Sequence, residues 1–425
     1  MARKFTRCAA VAACLAAAAF AGDTTWTSTT RFSGFTSFEF GQIYKGQYMS
    51  GPISHWWMER VRSRILLSSS ITDWSRLALG IECEYQTTFR HSSVGSEAAD
   101  FYLNPSLHQA EGIVTLLKKA ALSLELGIGY FPYKYNEHVR NMGEYFFRMR
   151  PYPGWMDNQF DLSFARLIGS HLRFVYGEDE RFLKITNDMI INSTTQTPMF
   201  DYSITDIARF ELGKIATVGG GFSLNRIFPV DSTLTTPDGE IWTQDTNVHY
   251  TSKSTNILGF FSFDPKEIIP LDLLGKNDLI FYGEAAIMGL KNYPGRYDSL
   301  WQRIPIMGGF NFPAFKLLDV VAVEVEWWGN QWPNSLYQVY FNNGKPRPDG
   351  YNMGLDTLRQ YQVNDNWKWS FYMRKSIKNI QIMAQAARDH IHGQYRSGVG
   401  MERDWDEVCG RPEYWYYMLK VQYNF

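Results

Sequence analysis

The sequence predicts an all-β fold, a transmembrane antiparallel up-and-down β-barrel of about sixteen strands. Three observations predict it. From Trp415 to the terminal Phe425, apolar and aromatic residues (Trp415, Tyr417, Leu419, Val421, Tyr423, Phe425) alternate with mostly polar ones (Lys420, Gln422 and Asn424 among them). That is the period of a strand with one face in an apolar medium. Short turns and long polar links then alternate along the chain, the asymmetry of a barrel with one short-looped and one long-looped end. Finally, a polar average (mean hydropathy -0.30) coexists with 16% aromatics, which suits a wet lumen behind a lipid-facing wall.

At the N-terminus, Arg3, Lys4 and Arg7 precede an Ala-rich apolar run from Cys8 to Phe20 and the small-x-small site Ala19-Phe20-Ala21. Residues 1–21 therefore read as a cleaved Sec-type signal peptide, too short for a spanning helix, with 22–425 as a single barrel domain. Val11-Ala12-Ala13-Cys14 offers a rival lipoprotein box, but the apolar run continues through Leu15 to Phe20. Export excludes cytosolic chemistry. Only Cys83 and Cys409 remain after the leader, too few for a disulfide framework. A net charge of -1 argues against a nucleic-acid partner.

The strands announce themselves in pairs. A first strand spans about Phe35 to Tyr48, with a loop before Arg60. Val61 to Ile71 turns at Thr72-Asp73-Trp74 into Leu77 to Tyr85. Ala110 to Leu116 turns at Lys118-Lys119-Ala120 into Leu122 to Tyr130. Phe160, Leu162 and Phe164 are read as passing through a turn at Gly169-Ser170 into Leu172, Phe174 and Tyr176. Ala208 to Leu212 turns at Gly213-Lys214 into Ala216 to Leu224. Four further strands follow, over Ile257–Phe263, Leu279–Ile287, Ile304–Phe312 and Val321–Trp327. Trp367 to Met373 turns at Ser376-Ile377-Lys378 into Ile380 to Ala386, and Trp415 to Phe425 closes the set. The long links fall at roughly 86–108, 131–158, 178–204, 228–254, 290–302, 329–366 and 388–413. A soluble all-β protein is the alternative, but it leaves the asymmetry of link lengths unexplained.

This pattern resembles bacterial outer-membrane β-barrel proteins of the porin kind. Leu419, Val421, Tyr423 and Phe425 carry the resemblance, which implies that the final strand is the sorting signal read by the barrel-assembly machinery. It further implies outer-membrane residence, contact with outer-membrane lipids and, from the resemblance alone, a homotrimer.

The alternation assigns the inward faces. Arg60, Arg62 and Arg64 lie at i, i+2 and i+4, so their guanidiniums enter one space. Arg76, Glu82, Glu84, Glu125, Glu284, Glu324, Glu326, Arg374 and Lys420 also point inward, as do Arg173, Arg209, Glu211, Arg303 and Lys368. Charges at this depth require water or a partner. They line either a hydrated, selective pore or a wall of cross-strand ion pairs. The third long link, about Tyr135 to Asn158, holds Glu144, Tyr145, Phe146, Phe147, Arg148, Arg150, Tyr152 and Trp155. It is too apolar to hang in water, and by its position it resembles the loop that folds into sixteen-stranded porins and narrows them.

His390 and His392 form an H-x-H pair beside Asp389, but exposed His at a strand end is ordinary and no metal is expected. Trp332, Tyr337, Tyr340, Tyr351 and Tyr361 could stack on sugars or simply pack. There is no nucleophile elbow, zinc-protease motif or Ser–His pair at strand spacing, so neither catalysis nor a cofactor is expected. The expectation is a porin-like channel for passive diffusion of small hydrophilic solutes. The alternative is a non-conducting barrel whose surface loops bind a polymer or protein.

Overall fold

The computed structural model describes residues 29–48, 51–87, 90–91, 101–148, 165–177, 182–193, 201–229, 240–242, 249–251, 254–268, 272–290, 300–329, 367–397 and 400–425. The signal-peptide reading, including Cys14, lies outside the described residues, as do Arg150, Tyr152, Trp155 and the aromatics of the seventh link.

Sixteen strands form one closed antiparallel barrel. They are β1 (Thr29–Tyr48), β2 (Gly51–Thr72), β3 (Ser75–Thr87), β4 (Phe101–Lys119), β5 (Leu122–Tyr133), β6 (Ala165–Tyr176), β7 (Leu183–Ser193) and β8 (Asp201–Leu212). Then come β9 (Ala216–Pro229), β10 (Ser254–Phe263), β11 (Phe281–Ile287), β12 (Pro305–Asn311), β13 (Val320–Trp328), β14 (Trp367–Ile377), β15 (Ile380–Arg388) and β16 (Trp415–Asn424). Each strand pairs with the next, and β16 pairs with both β15 and β1, from Phe35 opposite Asn424 to Lys45 opposite Trp415. Closure leaves no unpaired edge.

The alternation holds around the wall. Outward positions expose Ile65 (55%), Leu79 (44%), Ile81 (56%), Phe210 (42%), Phe261 (48%) and Leu419 (45%). Inward neighbours such as Ser37, Glu39, Thr205, Ser370 and Lys420 are buried. So continuous an exposed apolar belt suits a bilayer and not water. Aromatics rim it at both ends: Tyr44 packs on Trp415 with ring centroids 5.0 Å apart near the long-link end, and Phe281 stacks on Phe310 at 4.6 Å near the other. Apolar packing also lies inside the barrel. The third loop seats Tyr135, Val139, Met142 and Tyr145 against Leu258, Phe260, Tyr282 and Met307. A second cluster joins Ile43 and Met58 to Tyr372, Met383, Val408 and Tyr416.

Three details differ from the sequence reading. First, β1 and β2 run almost without interruption to the link at 49–50, so the segment before Arg60 is strand and not loop. Second, the sixth strand is Ala165–Tyr176 in one piece: Gly169 and Ser170 lie within it, and 160–164 fall outside the described residues. Gly169 lacks a side chain because a Cβ there would come within 1.9 Å of the Ile191 carbonyl oxygen. The strand ends before Gly177, whose φ is +101°. Third, β7 lies inside the stretch read as a polar link. Its sequence LKITNDMIINS is rich in Asn, Asp, Ser and Thr, which sequence patterning reads as loop. One strand read as two and another missed left the total at sixteen.

Candidate functional site

The arginine row of β2 is organised by a residue that sequence reasoning overlooked. Register places Arg60 opposite Glu39 on β1, and Arg62 and Arg64 opposite Glu84 and Glu82 on β3. Glu39 is 1% exposed and accepts from Arg60 Nε at 2.6 Å and Arg62 Nη2 at 3.0 Å, with Lys420 Nζ 3.7 Å away. Glu82 accepts from Arg64 Nε and Nη2 at 2.8 and 2.6 Å and from Arg166 Nη2 at 2.9 Å. Arg62, Arg64 and Lys420 also sit 5.7, 4.8 and 5.7 Å from the Phe35 ring centroid, within cation–π range. Five bases thus surround three acids, Glu39, Glu82 and Glu84, and Arg62 Nε is buried without a partner. Glu39 could have been found: it shares a face with Ser37 and Gly41, and a tight β1–β2 hairpin brings it to Arg60.

Farther round the wall the pairs balance. Arg76 meets Glu125 at 3.1 Å, Arg173 meets Asp188 at 2.7 Å, and Lys184 and Arg209 meet Glu211 at 3.5 and 3.4 Å. In several pairs the base is the more exposed member. The Arg166 side chain is 30% exposed against 4% for Glu82, and Arg173 is 35% exposed against 7% for Asp188. The acids lie back against the strands while guanidiniums reach toward water. Arg374 points inward at the short-link end of β14 and is half-buried.

The wall of β11–β14 is different. Glu284, Glu324 and Glu326 point inward but lie at 3%, 1% and 0% exposure, beneath the third loop and not against open water. Glu324 accepts from three successive loop amides, Arg140 at 2.5 Å, Asn141 at 2.7 Å and Met142 at 2.8 Å, and from the Tyr282 hydroxyl at 2.9 Å. Glu284 accepts from Tyr135 Oη at 2.6 Å, the Tyr145 amide at 2.9 Å, the Glu144 amide at 3.1 Å and Asn136 Nδ2 at 3.2 Å. Glu326 accepts from Tyr145 Oη at 2.9 Å. Wall carboxylates therefore satisfy the amides that the loop leaves unpaired. The loop turns through Gly143 (φ +81°) and Glu144 (φ +58°) into a short helix, α1 (Tyr145–Arg148). A Cβ at Gly143 would lie 3.1 Å from Glu284 Oε2, so the glycine admits the carboxylate.

Glu144 and Arg148, expected at a constriction, are buried in the loop's own packing. Arg148 Nη1 donates to the carbonyls of Asn141 (2.5 Å) and Gly143 (3.2 Å). Burial, and then the nearby charge of Glu284, push Glu144 up to about 8.

The eighth link locks onto the same assembly. His390 lies between Glu326, at 2.5 Å, and Glu407, which also receives Lys368 Nζ at 2.6 Å. Burial opposes charge on His390, but Glu407 and Glu326 outweigh it and raise the imidazole to about 9. Asp389 accepts from Asn141 Nδ2 at 2.5 Å and Tyr416 Oη at 2.7 Å. The H-x-H pair is thus built into a buried ionic network, and no metal-ligating group is found among the described residues.

No protein-family model and no curated protein sequence matches the chain. In fold it is similar to OprB of Pseudomonas putida, at 11% identity over 93% of this chain and 94% of that one, with a TM-score of 0.47. It is similar also to the outer-membrane channel DcaP of Acinetobacter baumannii, at 10% identity, 94% and 97% coverage and a TM-score of 0.44. An engineered variant of the Rh. blastica porin gives 8% identity, 93% and 100% coverage and a TM-score of 0.42. All three scores are below 0.5, so the barrel reading rests on this chain's own strand pairing.

Proposed function

We propose that the chain is a bacterial outer-membrane channel for passive diffusion of small hydrophilic solutes, conducting along the part of the lumen beside β2–β8. The observation that supports this reading is the contrast between two walls. Charged side chains of β2–β8 such as Arg76 (51% exposed), Arg173 (35%) and Glu125 (26%) reach solvent inside the barrel, whereas the carboxylates of β11–β13 are sealed under the third loop. Charges at this depth need water or a partner, and these side chains keep solvent exposure in addition to their ion pairs. Arg60, Arg64, Arg76, Glu84 and Glu125 are the residues we assign to the solute path. The apolar belt contacts outer-membrane lipid, the long links face outward, and the strand ending in Tyr423 and Phe425 serves as the assembly signal. Export through the leader at 1–21 and trimer formation belong to the same proposal.

Reconstitution in planar bilayers tests it. Discrete channel openings are expected. A folded, heat-modifiable protein that never opens would support the other reading, a non-conducting barrel whose loops bind a partner.

A further inference from the structure

We propose that Glu144 is a proton-operated latch: the third loop is seated on the wall while this carboxyl carries its proton, and is released when the proton passes to the lumen water. The inference concerns control of the loop and deepens the channel reading on which its conductance arm rests.

The geometry is that of two carboxyls in a single dry site. Glu284 uses both oxygens to accept four donors, among them the amide of Glu144 itself at 3.1 Å. Glu284 is thus the better satisfied of the two carboxyls, with two donors on each oxygen. Glu144 is 1% exposed, and its Oε1 accepts the Asn136 amide at 2.7 Å. Its Oε2 is buried with no hydrogen-bond partner. An anionic oxygen left bare beside a second carboxylate is far costlier than a neutral hydroxyl in the same place. The groups facing Glu144 are Glu284 from β11, Tyr133 from β5, and Lys134, Tyr135 and Arg148 from the loop. Lys134 Nζ donates to the Val139 carbonyl at 2.7 Å, and Arg148 donates through Nη1 to those of Asn141 and Gly143; the charge of both bases favours the Glu144 anion, but burial and Glu284 outweigh it. The left-handed backbone at Glu144 is a further cost that only the docked arrangement supports.

The sign follows from linkage. The docked carboxyl holds its proton to about 8, whereas in water it returns to its ordinary 4.5. Docking is therefore strongest below 4.5 and weakens by about tenfold per pH unit from there until the docked group itself ionises.

Amide hydrogen exchange on the folded barrel reads the latch directly. Corrected for intrinsic exchange, protection at Asn136, Glu144 and Tyr145 should fall by about tenfold per pH unit between pH 6 and 8. Glu144→Gln, which keeps the shape and removes the proton, should hold protection level across that range. A parent protein with constant protection, or a Glu144→Gln variant with the parent's pH profile, would overturn the proposal. Heat modifiability confirms that the variant barrel is folded. Single-channel recordings between pH 6 and 9 supply the second arm: parent conductance should change with pH and that of Glu144→Gln should not. If neither protein conducts while the exchange difference stands, the channel reading fails and the latch survives.

Discussion

Gly34 and Phe425 exchange both backbone hydrogen bonds, at 2.9 and 3.0 Å, and the Phe425 ring lies where a Gly34 side chain would be. The last residue of the chain thus closes the barrel on its first strand. A Cβ at Gly34 would stand 2.2 Å from the Arg64 carbonyl oxygen and 2.8 Å from the ring. Gly34→Val, or deletion of Phe425, is expected to leave most of the chain out of the outer membrane. Membrane fractionation with a heat-modifiability gel measures this, and normal yield of folded barrel from both variants would show that the seam is not needed for assembly.

Selectivity should depend on the arginine row. Replacing Arg60, Arg62 and Arg64 by Gln leaves Arg166 and Lys420 against Glu39, Glu82 and Glu84, turning a basic cluster into an acidic one. Reversal potentials of the reconstituted channel should shift toward cations. The shift should shrink as salt rises from about 0.1 M to about 1 M, where the Debye length falls from about 10 Å to about 3 Å. Unchanged ion preference at low salt would make these arginines purely structural partners of the glutamates.

The outward register is tested with Leu124 and Ser123, adjacent residues of β5 on opposite faces. Leu124→Arg places a cation in lipid and should destabilise the barrel, by a cost that falls from about 2–4 kcal/mol at the midplane toward the rim, whereas Ser123→Arg should cost much less. Denaturant titrations into lipid vesicles give both values. Equal costs would mean the faces are misassigned.

Glu324 should hold the third loop. Glu324→Ala strips three amides and a hydroxyl of their acceptor, each worth about 1–3 kcal/mol when left buried and unpaired. Exchange protection at Arg140, Asn141 and Met142 should collapse while the strands stay protected. Retained protection at those three amides would show that apolar packing alone seats the loop.

His390 makes a pH prediction of its own. A base raised from 6.5 to about 9 contributes its stability fully below 6.5 and loses it as pH rises through 9. The stability gap between the parent and His390→Gln should be larger at pH 6 than at pH 10 by about 3 kcal/mol. Unfolding titrations at the two pH values decide it, and a gap independent of pH would mean that His390 is neutral in the fold.

Legibility in the sequence followed the physics of each feature. Where lipid faces one side, as along Leu419, Val421 and Tyr423, hydrophobic alternation exposes both strand and register. In β7 it weakens, because Asn187 faces outward and bonds Asp206 of β8 at 3.1 Å, a cross-strand contact that no local pattern encodes. Inward charges could be read as inward, yet their environment could not. Glu324 and Glu125 look alike on their strands, but one is sealed by a loop amide from 184 residues earlier and the other reaches solvent. Glu39 stayed hidden because its partner is set by hairpin length.

The grip of Glu324 on main-chain amides makes the two partners unequal as targets for redesign. Every residue type except proline carries the N–H that the carboxylate holds. The side chain at 140, the one of the three that is not fully buried, could therefore be rewritten for size or charge, and the clasp would still recognise the loop, whereas position 324 tolerates no such freedom. A library that varies position 140 and fixes the wall would explore several apertures on one unchanged frame.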